Sequence, residues 1–298
     1  MNIKELFSNY LLYLKMTKLQ ETSSVNYRSG SVATYNFYLG MNNYILEFLN
    51  HYNIENYNQL SKYSWLSFVD YYKNIRGGLK NNSIKKIQKY FKMVFNYYNI
   101  EIPFKDKFIV LTDDTKSIAT ATFSEMSLIY NYVFSLDNKD NNLSYKLIIS
   151  LLRETGLRRN ELIRLKFKDI DLDSNIIRII ETKNRKNRIA FFGNQTKELL
   201  KVAHKLNSEY VIYNYLKDKP ATNDMIDYCL EKCSKKCNLN RLSSHMIRKY
   251  FATDMYEKLD GDLLTVSTLL GHENLDQTKI YIKDSVSFLK KQFDKVIK

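Results

Sequence analysis

LLGHENLDQTKIYIK, residues 269–283, is the stretch of sequence that says most about the fold. The pair Gly271-His272 follows an apolar helical pattern, and Tyr281 stands nine residues after the histidine. Four specified residues at fixed offsets arise by chance at about one in 10⁵ per starting position. Tyr is common in the chain, with 24 copies, but His is scarce, with four. The pattern therefore reads as a motif, in which the histidine carries more weight than the tyrosine.

Two further clusters lie upstream, in TGLRRNEL (residues 155–162) and SHMIRKYFAT (residues 244–253). In the first, Gly156 ends one helix and Arg158 stands in the turn before the next. Fixed backbone on both sides can aim such a guanidinium at a phosphate. A helix C-cap with an incidental arginine explains the same octapeptide equally well.

In the second cluster, His245 and Arg248 are three residues apart, so on a helix they project from one face. A histidine beside a phosphate can donate a hydrogen bond or move a proton, while an arginine neutralises oxygen charge. The HxxR spacing taken alone is a weak pattern.

Together these stretches resemble the tyrosine recombinase (phage integrase) family, in its simple two-domain form, as in Xer recombinases and mobile-element integrases. The resemblance matches six catalytic positions in chain order: Arg158 in TGLR, Lys183 in TKNRKNRIAFF, His245 and Arg248 in HxxR, His272 in LLGH, and Tyr281 as the nucleophile. Arg188, five residues after Lys183, is an additional DNA-binding candidate.

The resemblance implies a site-specific recombinase that cleaves and rejoins DNA without metal, ATP or another cofactor. Tyr281 would attack the phosphorus and form a 3′-phosphotyrosine. Arg158 and Arg248 would hold the two non-bridging oxygens as charge builds on them. Lys183, on a hairpin turn, would protonate the leaving 5′ oxygen.

The resemblance also implies roles for the histidines and the partners. His245 would assist proton transfer at the nucleophile, and His272 would hydrogen-bond the phosphate or support Tyr281. The partners would be double-stranded DNA and other recombinase protomers, assembled as a tetramer on paired sites. An apolar stripe over residues 285–298 predicts a C-terminal helix, which either docks on a neighbouring protomer or packs on its own domain.

Composition indicates the fold class, which is mainly α. The 298 residues include only 8 Gly and 2 Pro, too few for a turn-rich β sandwich. We expect a helical core-binding (SAM-like) domain over 1–102, a linker over 103–118 and a mixed α/β catalytic domain over 119–298. The apolar runs 175–182 and 188–192 predict one small antiparallel sheet in the second domain.

Charge points to a polyanionic partner. The net charge is +14, and it is spread evenly: residues 1–110 hold 14 basic and 7 acidic side chains, residues 111–298 hold 32 and 25. An even excess suits a protein that surrounds DNA or RNA, although solubility alone would also explain it. On the predicted helix 83–98, Lys85, Lys89 and Lys92 form a basic stripe, which is either a DNA-binding face or a solvated one.

Two sets of residues have spacings that resemble metal sites, but we expect neither to bind a metal. They are the cysteines Cys229, Cys233 and Cys237 and the aspartates Asp169, Asp171 and Asp173. The cysteines have no CxxC spacing or partner histidine, so packing in the core or simple exposure is favoured over a metal site. The aspartates lack the glycine and glutamate of an EF-hand. Three cysteines without a disulfide framework, no signal-peptide pattern and no long apolar run predict a cytoplasmic protein without a membrane span.

Other functions fit parts of the pattern. A DNA-binding family member could use the same fold without cutting, and a type IB topoisomerase-like relaxase would share the chemistry. A metal-dependent nuclease is a third alternative, and it would be stopped by EDTA.

Overall fold

The computed structural model describes residues 2–20, 28–102, 120–139, 141–180, 187–272, 274–282 and 293–294. Its contacts divide the chain into two units, Met1–Lys116 and Ser117–Lys298. The predicted linker over 103–118 lies outside the described residues, as do Lys183 and nearly all of the predicted C-terminal helix. The predicted domain limits therefore stay predictions.

In its described part, the first unit packs four helices around an aromatic core. They are α1 (Ile3–Gln20), α2 (Arg28–His51), α3 (Ser64–Asp70), which continues into a π-helical turn, and α4 (Asn81–Tyr97). Phe7, Trp65, Tyr72, Tyr90 and Phe95 are fully or almost fully buried at its centre. Burial of each such ring contributes on the order of 2 kcal/mol, so the unit carries its own hydrophobic core.

Helix α4 has the two faces that its sequence predicts. Ile84, Ile87 and Val94 are buried at helical spacing. On the other side, Lys89 and Lys92 are exposed and Lys85 is half-buried. The DNA-binding role of these three lysines stays a prediction.

The second unit holds eight helices and five short strands in its described part. The helices are α5 (Phe123–Ser135), α6 (Asn142–Thr155), α7 (Arg159–Arg164), α8 (Asn194–His204), α9 (Asn223–Lys236), α10 (Ser244–Lys258), α11 (Leu263–Leu270) and α12 (Leu275–Ile282). The strands are β1 (Ile170–Asp171), β2 (Ile176–Ile180), β3 (Asn187–Phe191), β4 (Tyr213–Asn214) and β5 (Lys219–Pro220). Helix α6 is central: most of its residues are buried, and it contacts α5, α8 and α10.

The predicted hairpin forms a sheet of order β1-β2-β3, with antiparallel neighbours. Ile177 pairs with Ala190, and Ile179 with Arg188. The side chains of all four point to the buried face. Asp171 accepts hydrogen bonds from the backbone amides of Asp173 (3.1 Å) and Ser174 (3.0 Å), so it holds the turn into β2.

The fold is mainly α with a small antiparallel sheet in the second unit, as predicted, but the sequence indicated only one such sheet. Strands β4 and β5 form a second, two-stranded sheet, and β1 adds a third strand to the first. Each of these three strands has two residues, too few for an alternating pattern to be recognised. Helix α12 was also not predicted as a separate helix, because its eight residues carry little amphipathic signal.

Gly156 is required where α6 ends. It caps the helix in the left-handed conformation, with φ 57°. A Cβ at this position would lie 2.4 Å from Cδ1 of Phe251. Both the backbone conformation and the close ring therefore demand glycine.

Gly156→Ala should destabilise the protein by about 1–3 kcal/mol, because it adds backbone strain and a steric clash. Urea unfolding followed by far-UV circular dichroism measures the change. Gly40→Ala is the control: Gly40 lies inside α2 with nothing within 4 Å of a built Cβ. Alanine there should be neutral or stabilising by up to about 1 kcal/mol. Equal effects of the two substitutions would contradict the prediction.

Candidate active site

The backbone around Arg158 is fixed from both sides. The left-handed cap at Gly156 ends α6, and α7 begins at Arg159. Arg158 between them is extended, and its amide donates to Oε2 of Glu161 at 2.7 Å. This capping contact satisfies an amide that the start of a helix otherwise leaves unpaired.

The Arg158 guanidinium contacts a carboxylate and a backbone carbonyl and still reaches solvent. Nη1 donates to Oε1 of Glu161 at 2.7 Å, and Nη2 donates to the carbonyl of Gly271 at 3.3 Å. The side chain keeps 34% of its surface exposed. An arginine that is oriented by a carboxylate and keeps a third of its side chain exposed can present its guanidinium to an anion.

Arg248 lies deeper and contacts two helix ends. Helix α10 is capped by Ser243 and carries His245 in its first turn and Arg248 in its second. Arg248 is 2% exposed. Its Nη1 donates to the carbonyl of Gly156 at 2.5 Å, and its Nη2 to the carbonyl of Leu270 at 2.6 Å. The carbonyls that end α6 and α11 thus position one guanidinium.

His272 follows the glycine that ends α11. Gly271 is left-handed, with φ 64°, and the amide of His272 donates to the carbonyl of Ser267. Nε2 of His272 lies 3.1 Å from Nη2 of Arg248, and Nδ1 lies 2.7 Å from Oγ1 of Thr278. Arginine can only donate, so Nε2 accepts and Nδ1 carries the proton that is donated to Thr278. The imidazole is therefore neutral.

The pKa of His272 is lowered to about 4, because the ring is partly buried and faces the charges of Arg248, Arg158 and Arg188. The unfolded chain, with a histidine pKa of about 6.5, takes up the proton first as the pH falls. Folding stability should therefore decrease as the pH falls from about 6.5 to 4.

An NMR titration of the His272 ring should give a midpoint near pH 4. The resonance is assigned by its loss in His272→Gln. The same substitution should flatten the decrease in stability between about pH 6.5 and 4, because the depressed titration is gone. A ring that titrates with an ordinary midpoint of about 6.5 would contradict this account of the site.

His245 differs from His272 in being exposed. Partial desolvation lowers the pKa of His245, and the charges of Arg248, Arg159 and Arg158 lower it further. Its ring is thus open to a ligand and biased toward the neutral form, which can accept a proton.

Tyr281 lies on α12, three residues after Thr278, and α12 contacts both α10 and α11. Thr278 is fully buried and joins this helix to His272. The structure thus brings Arg158, Arg248 and His272 together and places α12 against them. Lys183 falls in residues 181–186, which lie outside the described part of the chain.

Sequence reasoning missed two residues of the site. Glu161 bonds both Arg158 and Arg188, and Thr278 bonds His272. Burial alone would raise the pKa of Glu161, but the charge of Arg188 and the hydrogen bonds from Arg158 and Arg188 outweigh it and lower that pKa. The signal for Glu161 was its place three residues after Arg158 at a helix start.

The structure does not support the predicted DNA contact of Arg188. Its guanidinium is buried, and it donates to Oε2 of Glu161 and to the carbonyl of Leu269, both at 2.6 Å. The burial of this side chain was not visible in the sequence. Arg188 belongs to the interior of the site.

The residues with metal-like spacing have structural contacts. Cys229 and Cys233 are buried in the core of the second unit. Asp169 accepts from the amide of Lys166 at 3.3 Å. Over the described ranges, no group of three or more His, Cys, Asp or Glu side chains is placed to hold a metal ion. Among the described helices, none is long and apolar enough to cross a membrane.

Arg158 and Arg248 donate to adjoining carbonyls at the end of α11, so the two guanidiniums form a cationic site suited to an oxyanion. The donors are preoriented by backbone carbonyls and by a carboxylate, so little reorganisation is needed when negative charge develops. A phosphodiester, with two non-bridging oxygens, has the matching shape and charge.

Comparison with known sequences identifies relatives of this chain. Residues 121–287 match the model of the phage integrase family. A probable integrase/recombinase of Acholeplasma phage L2 is 32% identical over 219 residues, which is 72% of this chain and 74% of the relative. Tyrosine recombinase XerA of Saccharolobus solfataricus is 38% identical over 143 residues, 46% of this chain and 44% of the relative.

Solved structures share the fold. XerH site-specific recombinase, in a post-cleavage complex with palindromic difH substrate, matches with a TM-score of 0.74 and 20% identity, over 95% of this chain and 88% of that one. A lambda integrase tetramer bound to a Holliday junction matches with a TM-score of 0.70 and 15% identity, over 93% and 77%. These likenesses establish the fold of the chain.

Proposed function

Because the chain belongs to the phage integrase family, whose members include site-specific DNA recombinases, we propose that it cleaves and rejoins DNA with Tyr281 as the nucleophile. The Tyr281 oxygen attacks the phosphorus, the bond to the 5′ oxygen breaks, and a 3′-phosphotyrosine forms. The reverse step, with the 5′ hydroxyl of another strand, joins new partners and needs neither metal nor ATP.

Arg158 and Arg248 hold the two non-bridging oxygens of the scissile phosphate in this proposal. What supports it is their common anchoring: both guanidiniums donate to the end of α11, at Gly271 and Leu270. Negative charge grows on those oxygens in the transition state, so fixed cations lower the barrier more than they strengthen DNA binding.

His245 and Lys183 transfer protons in this proposal, and His272 positions other groups of the site. His245, exposed and biased toward the neutral form, takes the proton of Tyr281. His272 links Arg248 to Thr278 and so relates the phosphate clamp to the helix of the nucleophile. Lys183 protonates the leaving 5′ oxygen, as the resemblance implies.

The partners in this proposal are double-stranded DNA and further copies of the chain. The net charge of +14 supports the first, with Lys85, Lys89 and Lys92 as candidate phosphate contacts. Lambda integrase has been crystallised as a tetramer on a Holliday junction, and the shared fold supports a similar assembly here. A cytoplasmic location belongs to the same proposal.

The observation that carries the proposal is the contact of Arg248 with His272, with Arg158 bound to the adjoining carbonyl. Three residues distant in sequence meet at the end of one helix, next to the helix that carries Tyr281.

The test uses nicked duplexes tiled across the DNA that flanks the gene, designed so that the cleaved fragment diffuses away. With EDTA and without ATP, a denaturant-resistant protein–DNA adduct should accumulate. Cleavage that EDTA abolishes, with no adduct, would indicate a metal-dependent nuclease. Binding without an adduct on any duplex would indicate a family member that does not cut. Relaxation of a one-site plasmid without recombination of a two-site plasmid would indicate a relaxase.

A further inference from the structure

The end of helix α11 binds three guanidiniums at once. They donate to three consecutive carbonyls: Arg188 to Leu269 (2.6 Å), Arg248 to Leu270 (2.6 Å) and Arg158 to Gly271 (3.3 Å). The last carbonyls of a helix lack intrahelical partners and carry the negative end of its dipole, so they attract cations. Two of the three arginines are those of the proposed phosphate clamp; the third is Arg188.

Arg188 is also tied to the clamp through a carboxylate. Its Nη2 lies 2.6 Å from Oε2 of Glu161, and the two side chains are 5% and 10% exposed. The other oxygen of Glu161, Oε1, accepts from Arg158 at 2.7 Å. Oε2 of Glu161 thus accepts from both Arg188 and the backbone amide of Arg158, while Oε1 accepts from the Arg158 guanidinium. If Arg188 were absent, Glu161 would keep the Arg158 amide but lose the charged donor at Oε2, and the Arg158 guanidinium would be less strictly oriented.

Gly271 leaves the space that Arg188 occupies. A Cβ on Gly271 would lie 2.4 Å from Cδ of Arg188 and 3.1 Å from its Nε. The glycine of the LLGH motif thus serves two purposes: it adopts the left-handed turn, and it lets the Arg188 stem pass close to the backbone.

We propose that Arg188 is a positioning residue for DNA cleavage. From strand β3 it fixes Glu161 and the end of α11, and through both it sets the orientation of Arg158 toward the phosphate. This inference rests on the proposed cleavage function. It gives Arg188 no contact with DNA, so its loss should reduce cleavage much more than DNA affinity.

The first experiment compares Arg188→Met with the wild type in single-turnover cleavage of the nicked duplex and in DNA binding. Because misplacement of a reacting group by about 1 Å can cost 10²-fold, cleavage should fall on the order of 10²-fold. DNA affinity should stay within about threefold, since only one of many cations is lost. Arg178→Met is the matched control: Arg178 lies on the adjacent strand β2, is 62% exposed and lies 3.6 Å from Asp171. It should cleave within about twofold of the wild type.

The second experiment tests whether Gly271 acts through Arg188. Gly271→Ala should reduce cleavage in the wild type, because the new Cβ displaces the Arg188 stem. In an Arg188→Ala background the same substitution should cost clearly less, since the Cγ, Cδ and Nε atoms that the new Cβ would meet are gone. If Arg188→Met does not fold, Gly271→Ala and Arg188→Lys, which keep a cation at residue 188, should both show the split between cleavage and affinity.

A third measurement does not depend on activity. NMR of the Arg158 guanidinium, assigned by its loss in Arg158→Lys, should show restricted rotation in the wild type and averaging in Arg188→Met. Unchanged Arg158 resonances would overturn the inference, even if the protein turned out not to cleave DNA. If the wild type cleaves DNA, two further results would overturn the inference. One is a cleavage rate of Arg188→Met within about threefold of the wild type, and the other is a loss of DNA affinity in Arg188→Met as large as its loss of cleavage rate.

Discussion

Arg248→Ala should slow DNA cleavage by about 10²- to 10³-fold, the usual cost of removing one preorganised donor to a transition-state oxyanion. The guanidinium lies between the carbonyls of Gly156 and Leu270 and contacts His272, so its geometry is set before DNA arrives. DNA affinity should change by only a few fold, because one cation among many is lost from a protein of net charge +14.

The measurement pairs single-turnover cleavage on the nicked duplex with equilibrium binding at one fixed salt concentration. Lys258→Ala serves as the control, because Lys258 lies on the same helix α10 and is an exposed cation paired with Asp254. It should keep cleavage within about twofold of the wild type. If Arg248→Ala weakens binding as much as it slows cleavage, the proposed role in the transition state is wrong. Arg248→Lys, with the charge but not the fork, should restore only part of the rate.

Tyr281→Phe should lose cleavage by on the order of 10⁴-fold or more, because no other group replaces the nucleophile. The substitution removes one oxygen and leaves the ring, so folding and DNA binding should be unchanged. Tyr228→Phe is the matched control: Tyr228 is an exposed tyrosine on α9, and its loss of one hydroxyl should leave cleavage within about twofold. An adduct that forms at the wild-type rate in Tyr281→Phe would remove Tyr281 from the mechanism.

The helices were the most predictable part of the fold. The apolar spacing predicted a helix over 83–98, and α4 begins and ends within two residues of those limits. Strands β4 and β5 could not be predicted, because a two-residue strand is defined by its partner and not by its own pattern.

The candidate site was predictable as a set of residues but not as a network. Arg158, Arg248 and His272 were identified from motifs, and the structure brings them into contact with one helix end. Arg188 shows what the sequence could not predict. A basic residue in a hairpin is typical of an exposed DNA contact, whereas Arg188 pairs with Glu161, which is 27 positions away in the chain. Long-range contacts of this kind have no signal in local sequence.

Peptide mapping of the adduct shows whether Tyr281 becomes covalently joined to DNA. Adduct formed in EDTA on a nicked duplex is digested with nuclease and trypsin and analysed by mass spectrometry. The sequence predicts a modified peptide of residues 280–283, between the cleavage sites after Lys279 and Lys283. We expect a nucleotide linked through its 3′ phosphate to Tyr281. A nucleotide on any other residue, or one linked through a 5′ phosphate, would contradict it.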